Sequence, residues 1–278
     1  MRARIPSSAL VALLAVGCGS GNGGDSVPLA EPAVIGSGSR LATLNDPSAP
    51  RPSETAVQLV TGVTVVAVDR FDETHDGKSA GGIFVQDLAR EAADGRLEGC
   101  ARPGVTCPYA GILLFDASFN PPALRVASGD VVDVRGQYQE FAGPASLPFP
   151  DGETLPELVG GTVSLRFEYA PLEPITIELG DLVDYAKGRR WLGMLVRLEN
   201  VRVFDAPYQS ANGRYSVRLD PGGGVSLGKV PTLTNALFDV AGSGVSLEKG
   251  TTLKSVTGVV QYFQNFSIAP RSASDLVR

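Results

Sequence analysis

The chain has 278 residues, with 33 Gly, 20 Pro, one His, three Cys and a formal net charge of −6 at pH 7. One histidine excludes a two-histidine zinc centre, and the two cysteines beyond residue 18 have no further Cys or nearby His to complete a metal site. A net negative chain repels nucleic acid at long range, so contact with a polyanion demands a locally positive surface.

The chain opens MRARIPSSALVALLAVGCGSGNGG. Arg2 and Arg4 precede an apolar run from Ala9 to Val16. That run is far shorter than the roughly 20 residues of a membrane-spanning helix. It has the pattern of a signal peptide over residues 1–17. Leu14-Ala15-Val16-Gly17-Cys18 resembles the bacterial lipobox. That resemblance implies a lipidated Cys18 as mature N-terminus, with membrane attachment through the acyl chains, and Gly19 in place of Asp implies the outer membrane. Residues 18–53 are rich in Gly, Ser, Pro and Ala and short of large apolar residues, so they are expected to form a flexible linker.

From Ala56 the run AVQLVTGVTVVAVDRF, dense in β-branched residues, reads as a strand buried on much of both faces. GGIFVQD, GILLFD, DVVDVRGQYQEF and TVSLRFEYA follow from Gly81, Gly111, Asp130 and Thr162. DLAREAAD from Asp87 is a helical candidate, as is ELGDLVDYAKG from Glu178. Cys100 and Cys107 lie within EGCARPGVTCPYAG, and an even pair this close in an exported chain reads as a loop disulfide.

Five more strands are expected at GMLVRLENVRVF, GRYSVRLD, ALFDVAG, TLKSVTGVVQYF and FSIAP, from Gly193, Gly213, Ala236, Thr252 and Phe266. Met194, Val196 and Leu198 share one face, and Val201 and Val203 continue it only if an extra residue intervenes near Glu199-Asn200, as a β-bulge provides. The fourth strand of each set carries V-x-G-x-x-Q-x-F, at Val134 and again 122 residues later at Val256. Gly136 and Gly258 mark tight bends or close backbone approach. Five strands with a long first strand describe a small closed barrel of OB type. The fold class is therefore all-β: two tandem five-stranded OB-like barrels at residues 54–170 and 192–278, joined by a connector with a short helix at 171–191. The alternative is a single ten-stranded sandwich.

WLGMLVRLENVRV, GRYSVRLD and SVTGVVQYFQNFSIAPRSASDL resemble the OB-fold region that precedes the catalytic domain of bacterial extracellular nucleases of the endonuclease/exonuclease/phosphatase type. The residues that carry the likeness are Trp191, Gly193, Met194, Leu195 and Val196, then Thr257 to Val260, Tyr262, Pro270, Arg271 and Asp275. The His, Asp and Asn set of that family's metal-dependent catalytic domain has no counterpart in the resembling segment. The expectation is a non-enzymatic protein with no catalytic residue, cofactor or metal.

Charge divides unevenly. Residues 19–180 carry 10 Lys+Arg against 22 Asp+Glu, whereas residues 181–278 carry 12 against 8. In the basic half Arg189, Arg190, Arg197, Arg202, Arg214, Arg218 and Lys254, with Tyr215 and Tyr262 as stacking surfaces, form a candidate polyanion-binding set. Lys187, Arg271, Tyr208 and Phe263 extend it. The alternative is that these arginines pair with the acidic first barrel. His75 sits in a polar loop with no nucleophile motif beside it. Asp69, Asp72, Glu73 and Asp76 of that loop are hard oxygen donors suited to calcium, although their spacing is not that of an EF-hand. The function expected is a lipid-anchored envelope module that binds a protein, a glycan or extracellular DNA.

Overall fold

The computed structural model describes residues 39–79, 81–87, 107–168, 172–210 and 213–278, and the backbone alone at 90–91 and 97–98. Cys18 and Cys100 lie outside the described residues, and with them the expected lipidation and disulfide. All described residues belong to one compact unit, 33–278.

The first barrel consists of β1 (Val57–Val68), β2 (Ile83–Asp87), β3 (Gly111–Phe115), β4 (Val131–Phe141) and β5 (Leu155–Phe167). β1 pairs antiparallel with β2 and β4, β2 with β3, and β4 with β5, and a parallel β3–β5 pairing closes the ring. The order 1-2-3-5-4-1 is that of an OB barrel. β1 must coil to reach both neighbours, and its register slips against β4 between Val60 and Val63 and against β2 between Val65 and Ala67. Gly62 takes φ +67° at the first slip, and its N–H donates to Asp133 Oδ1 at 3.0 Å.

The second barrel repeats this order with β6 (Leu195–Arg202), β7 (Tyr215–Arg218), β8 (Thr232–Thr234), β9 (Thr252–Tyr262) and β10 (Phe266–Ala269). β6 pairs with β9, β7 with β8, β8 parallel with β10, and β9 with β10. A bridge between Val203 and Leu219 joins the first and second strands. The third strand is Thr232–Thr234, not the expected run from Ala236. That run turns instead, Gly242 N–H within a 3-10 turn donating to Asp239 Oδ1 at 3.0 Å, while Val240 drops into the core. The bulge expected near Glu199-Asn200 is also absent from the β6–β9 ladder, whose register runs unbroken. The change of phase is real, but β9 makes it in step: its core residues pass from Leu253 to Val256 opposite the passage from Leu198 to Val201 on β6.

Each barrel has its own core. Val60, Val63, Val65, Ile83, Val85, Ile112, Leu114, Val134 and Leu158 fill the first; Val196, Leu198, Val201, Val217, Leu219, Leu233, Val256 and Ile268 fill the second. The repeated glycine has one reason in both. A Cβ on Gly136 would stand 3.2 Å from Leu158 Cβ, and one on Gly258 only 2.7 Å from Ala269 O, because the fifth strand crosses close over the fourth.

Residues 39–53 are not a free linker. Helix α1 (Leu41–Asn45) inserts Leu41 and Leu44 into the first core, and Asp87 accepts the N–H groups of Leu41 and Ala42 at 3.3 and 3.0 Å. The connector caps the second barrel, with Leu182 fully buried ahead of helix α2 (Tyr185–Gly188), as expected from ELGDLVDYAKG. The other helical candidate is corrected: within it Arg90–Glu91 is extended and pairs antiparallel with Leu97–Glu98.

The barrels share an apolar seam of Val66, Ala67 and Phe84 against Leu195 and Val259. Gly111 and Gly193 face each other there so closely that a Cβ on Gly111 would be 2.5 Å from Gly193 C. The buried Gln86 Oε1 accepts Leu195 N–H at 3.0 Å. This seam explains why β1 is buried on both faces.

Candidate nucleic-acid interface

Backbone geometry at Asn200 shapes the surface of the second barrel. On β6, Val196 and Leu198 point inward and Arg197 and Glu199 outward. Strict alternation would then turn Arg202 inward. Asn200 instead takes φ +53°, so Val201 goes in and Arg202 comes out. Asn tolerates that left-handed conformation better than most residues. Arg197 lies opposite Thr257 and Arg202 opposite Thr252, while Lys254 is exposed on β9 between them. At about 3.3 Å per residue the two arginines stand roughly 16 Å apart along the strand. Arg197 Nε is 3.4 Å from Thr257 Oγ1. Arg197, Arg202 and Lys254 form no ion pair among the described residues, and Glu199 is the one acid on that stretch of β6.

The remaining candidates are dispersed. Arg190 and Lys187 are exposed on the connector. Arg218 stacks over the Tyr208 ring at 4.7 Å and lies 3.9 Å from Asp205. Arg214 Nε is 3.1 Å from Glu73 Oε2 of the first barrel. Arg271 is paired with Asp275.

Arg189, expected on the basic face, is only 5% exposed. Its guanidinium donates to Glu140 Oε1 and Oε2 at 2.6 and 3.0 Å, to Thr154 Oγ1 at 3.0 Å and to Tyr185 OH at 2.9 Å. Burial works against the charge of Glu140, but hydrogen bonds from Arg189, Thr154 and Tyr138 outweigh it and hold the carboxyl below its usual range. Burial also opposes the charge on Arg189, and the Glu140 hydrogen bond reverses that and raises it. A buried guanidinium persists only with such a partner.

The expected stacking residues are likewise used internally. Tyr262 is 4% exposed and hydrogen-bonds Glu153, and burial followed by that bond raises its phenol. Phe149 of the first barrel meets Tyr262 and Phe263 edge-on, at 5.1 and 5.6 Å between ring centres, and Phe141 at 5.7 Å. Phe141 and Phe263, the closing residues of the two repeated motifs, thus both pack against Phe149. Tyr215 is half-buried against the second core, and burial with nearby Asp239 raises its phenol.

The acidic loop between β1 and β2 caps itself. Asp72 accepts from Asp76 N–H and Gly77 N–H at 3.0 and 2.7 Å, and Asp76 accepts from Lys78 N–H at 3.0 Å. Among the described residues no three His, Cys, Asp or Glu groups are placed to hold a metal ion. His75 sits on the exposed loop at φ +58°. Asp69 is 8% exposed, with Oδ1 lacking a hydrogen-bond partner, and burial aided by the Glu73 charge pushes its carboxyl up to about 6. The Glu73–Arg214 contact had no signal in the sequence beyond the opposite charges of the two halves.

No family model matches the chain, and no curated protein matches it. Among solved structures it is similar to the single-stranded DNA binding protein from Thermus aquaticus. The wild type gives 16% identity over 77% of this chain and 88% of that one, with a TM-score of 0.20. A deletion mutant gives 16% over 77% and 90%, with a TM-score of 0.19. Superposition this poor supports no argument about ligands. The class is set by strand order: a two-barrel protein of OB type.

Proposed function

We propose that the protein is a non-enzymatic binding module of the bacterial envelope, lipid-anchored at Cys18. Its contact surface is the outer face of β6–β9, which engages nucleic acid through the phosphate backbone. The observation that carries this reading is the placement of Arg197, Arg202 and Lys254 on one exposed sheet face with no ion pair among the described residues. With Tyr215 and Tyr262 turned inward, the contact is charge-based and indifferent to sequence. The anchor, the outer-membrane address and a Cys100–Cys107 bond are supported by the sequence motifs.

The test uses the full-length protein in mild detergent and labelled single-stranded and duplex DNA. Binding in the non-specific range of about 10⁻⁴–10⁻⁶ M is expected. Three neutralised phosphates give a slope of log K against log salt near −2 for a single strand and near −3 for a duplex. The triple variant R197A/R202A/K254A should remove most of that slope. No binding at low salt would overturn the nucleic-acid reading and favour a protein partner, whose affinity should be insensitive to salt.

A further inference from the structure

OB barrels bind extended ligands on the outer face over strands two and three, and in this chain both such faces are covered from within. In the first barrel, Phe84 and Gln86 of β2 lie under Leu195 of the second. In the second barrel the cover is the loop of residues 69–79.

That loop is built to hold one acid in place. Asp72 and Asp76 tie its backbone to itself through the bonds described above. Its tip reaches the second barrel, where Gly213 lies so close that a Cβ there would stand 3.5 Å from Thr74 O. Glu73 then projects onto the strands: its Oε2 is 3.1 Å from Arg214 Nε, and its side chain also hydrogen-bonds Thr234. Thr234 pairs with Ser216, so the carboxylate lies at the Arg214 end of the outer β7–β8 face. On β7 the residues alternating outward are Ser216 and Arg218, in line with Arg214, while Val217 fills the core.

We infer that residues 69–79 are an acidic strap that screens a second anion-binding patch, Arg214, Ser216 and Arg218, from polyanions. The Glu73 carboxylate occupies the position a phosphate would take against Arg214, and it repels any strand approaching β7. The inference rests on the reading of the second barrel as a polyanion surface. The strap confines binding to the β6–β9 face, and lifting it would extend the basic track around the barrel from Arg202 to Arg218, whose strands meet where Asp220 N–H donates to Arg202 O at 2.8 Å.

The test is E73Q, which keeps the shape and the Thr234 hydrogen bond but removes the charge. The full-length protein is titrated with labelled oligothymidylate of about 20 nucleotides, longer than the roughly 4–16 one OB barrel engages. E73Q should bind severalfold more tightly than wild type, with a salt slope steeper by about 0.7 for the additional phosphate. The double variant E73Q/R214Q should lose that gain. If wild type binds and E73Q binds no better, or if E73Q/R214Q keeps the gain, the strap is overturned and the β6–β9 surface stands. If only E73Q binds, the strap is supported and the β6–β9 surface falls. If neither binds at low salt, both fall.

Discussion

At Asn200 a single backbone dihedral decides which side chains the second barrel shows to solvent. Glycine tolerates φ +53°, so N200G should leave the melting temperature nearly unchanged. N200V should cost about 1–2 kcal/mol and, on the function proposed above, weaken DNA binding by disturbing Arg202, read by thermal melts and titration. The two repeat glycines should respond unequally. A methyl at Gly258 would meet backbone at 2.7 Å, whereas one at Gly136 has 3.2 Å. G258A should therefore destabilise by about 1–3 kcal/mol as overpacking does, and G136A by less. Asp69 makes stability depend on pH. The folded state keeps its proton up to about pH 6, whereas the usual carboxyl releases it near 3.8, so acid favours folding across that window and the benefit is lost as pH rises through 6. D69N should raise the melting temperature above pH 6, with the gain fading below about pH 4.

Among elements, α1 matters out of proportion to its five residues. An OB barrel is open at its ends, and Leu41 and Leu44 close one end of the first barrel just as Leu182 serves the second. Leu41 is fully buried, so L41A should cost about 2–5 kcal/mol, measured by denaturant unfolding. D87A removes the acceptor for two N–H groups of α1 and should cost about 0.5–2 kcal/mol. The helix was hidden in the sequence because LATLN is short and sits among Gly, Ser and Pro, where composition alone argues for a linker. Its order comes from a barrel end that needs filling.

For the whole molecule, the seam joins the barrels through apolar packing, paired glycines and the buried Arg189–Glu140 ion pair. Calorimetry should therefore show one unfolding transition rather than two. E140Q leaves a buried guanidinium undercompensated and should destabilise by about 3–5 kcal/mol. The same seam redistributes function: of the nine basic and aromatic residues expected on one binding face, Arg189 and Tyr262 are internal, Arg214 is held by Glu73, and Arg197, Arg202 and Lys254 remain together in the open.

The duplication, the all-β class and nine of the ten strands were legible in the sequence, because β-branched runs, glycine placement and alternation are local signals that short-range sterics enforce. The third strand of the second barrel was misplaced because ALFDVAG is as apolar as a strand, yet Val240 reaches the core from a turn. Sequence also determined the charge asymmetry between the halves, but not its use. Whether an arginine faces solvent, an acid or a buried carboxylate depends on which surfaces two barrels press together, and Glu73 meets Arg214 only after both have folded. Tertiary structure alone decided that contact, since linear distance along the chain carries no record of which surfaces the folded barrels bring together.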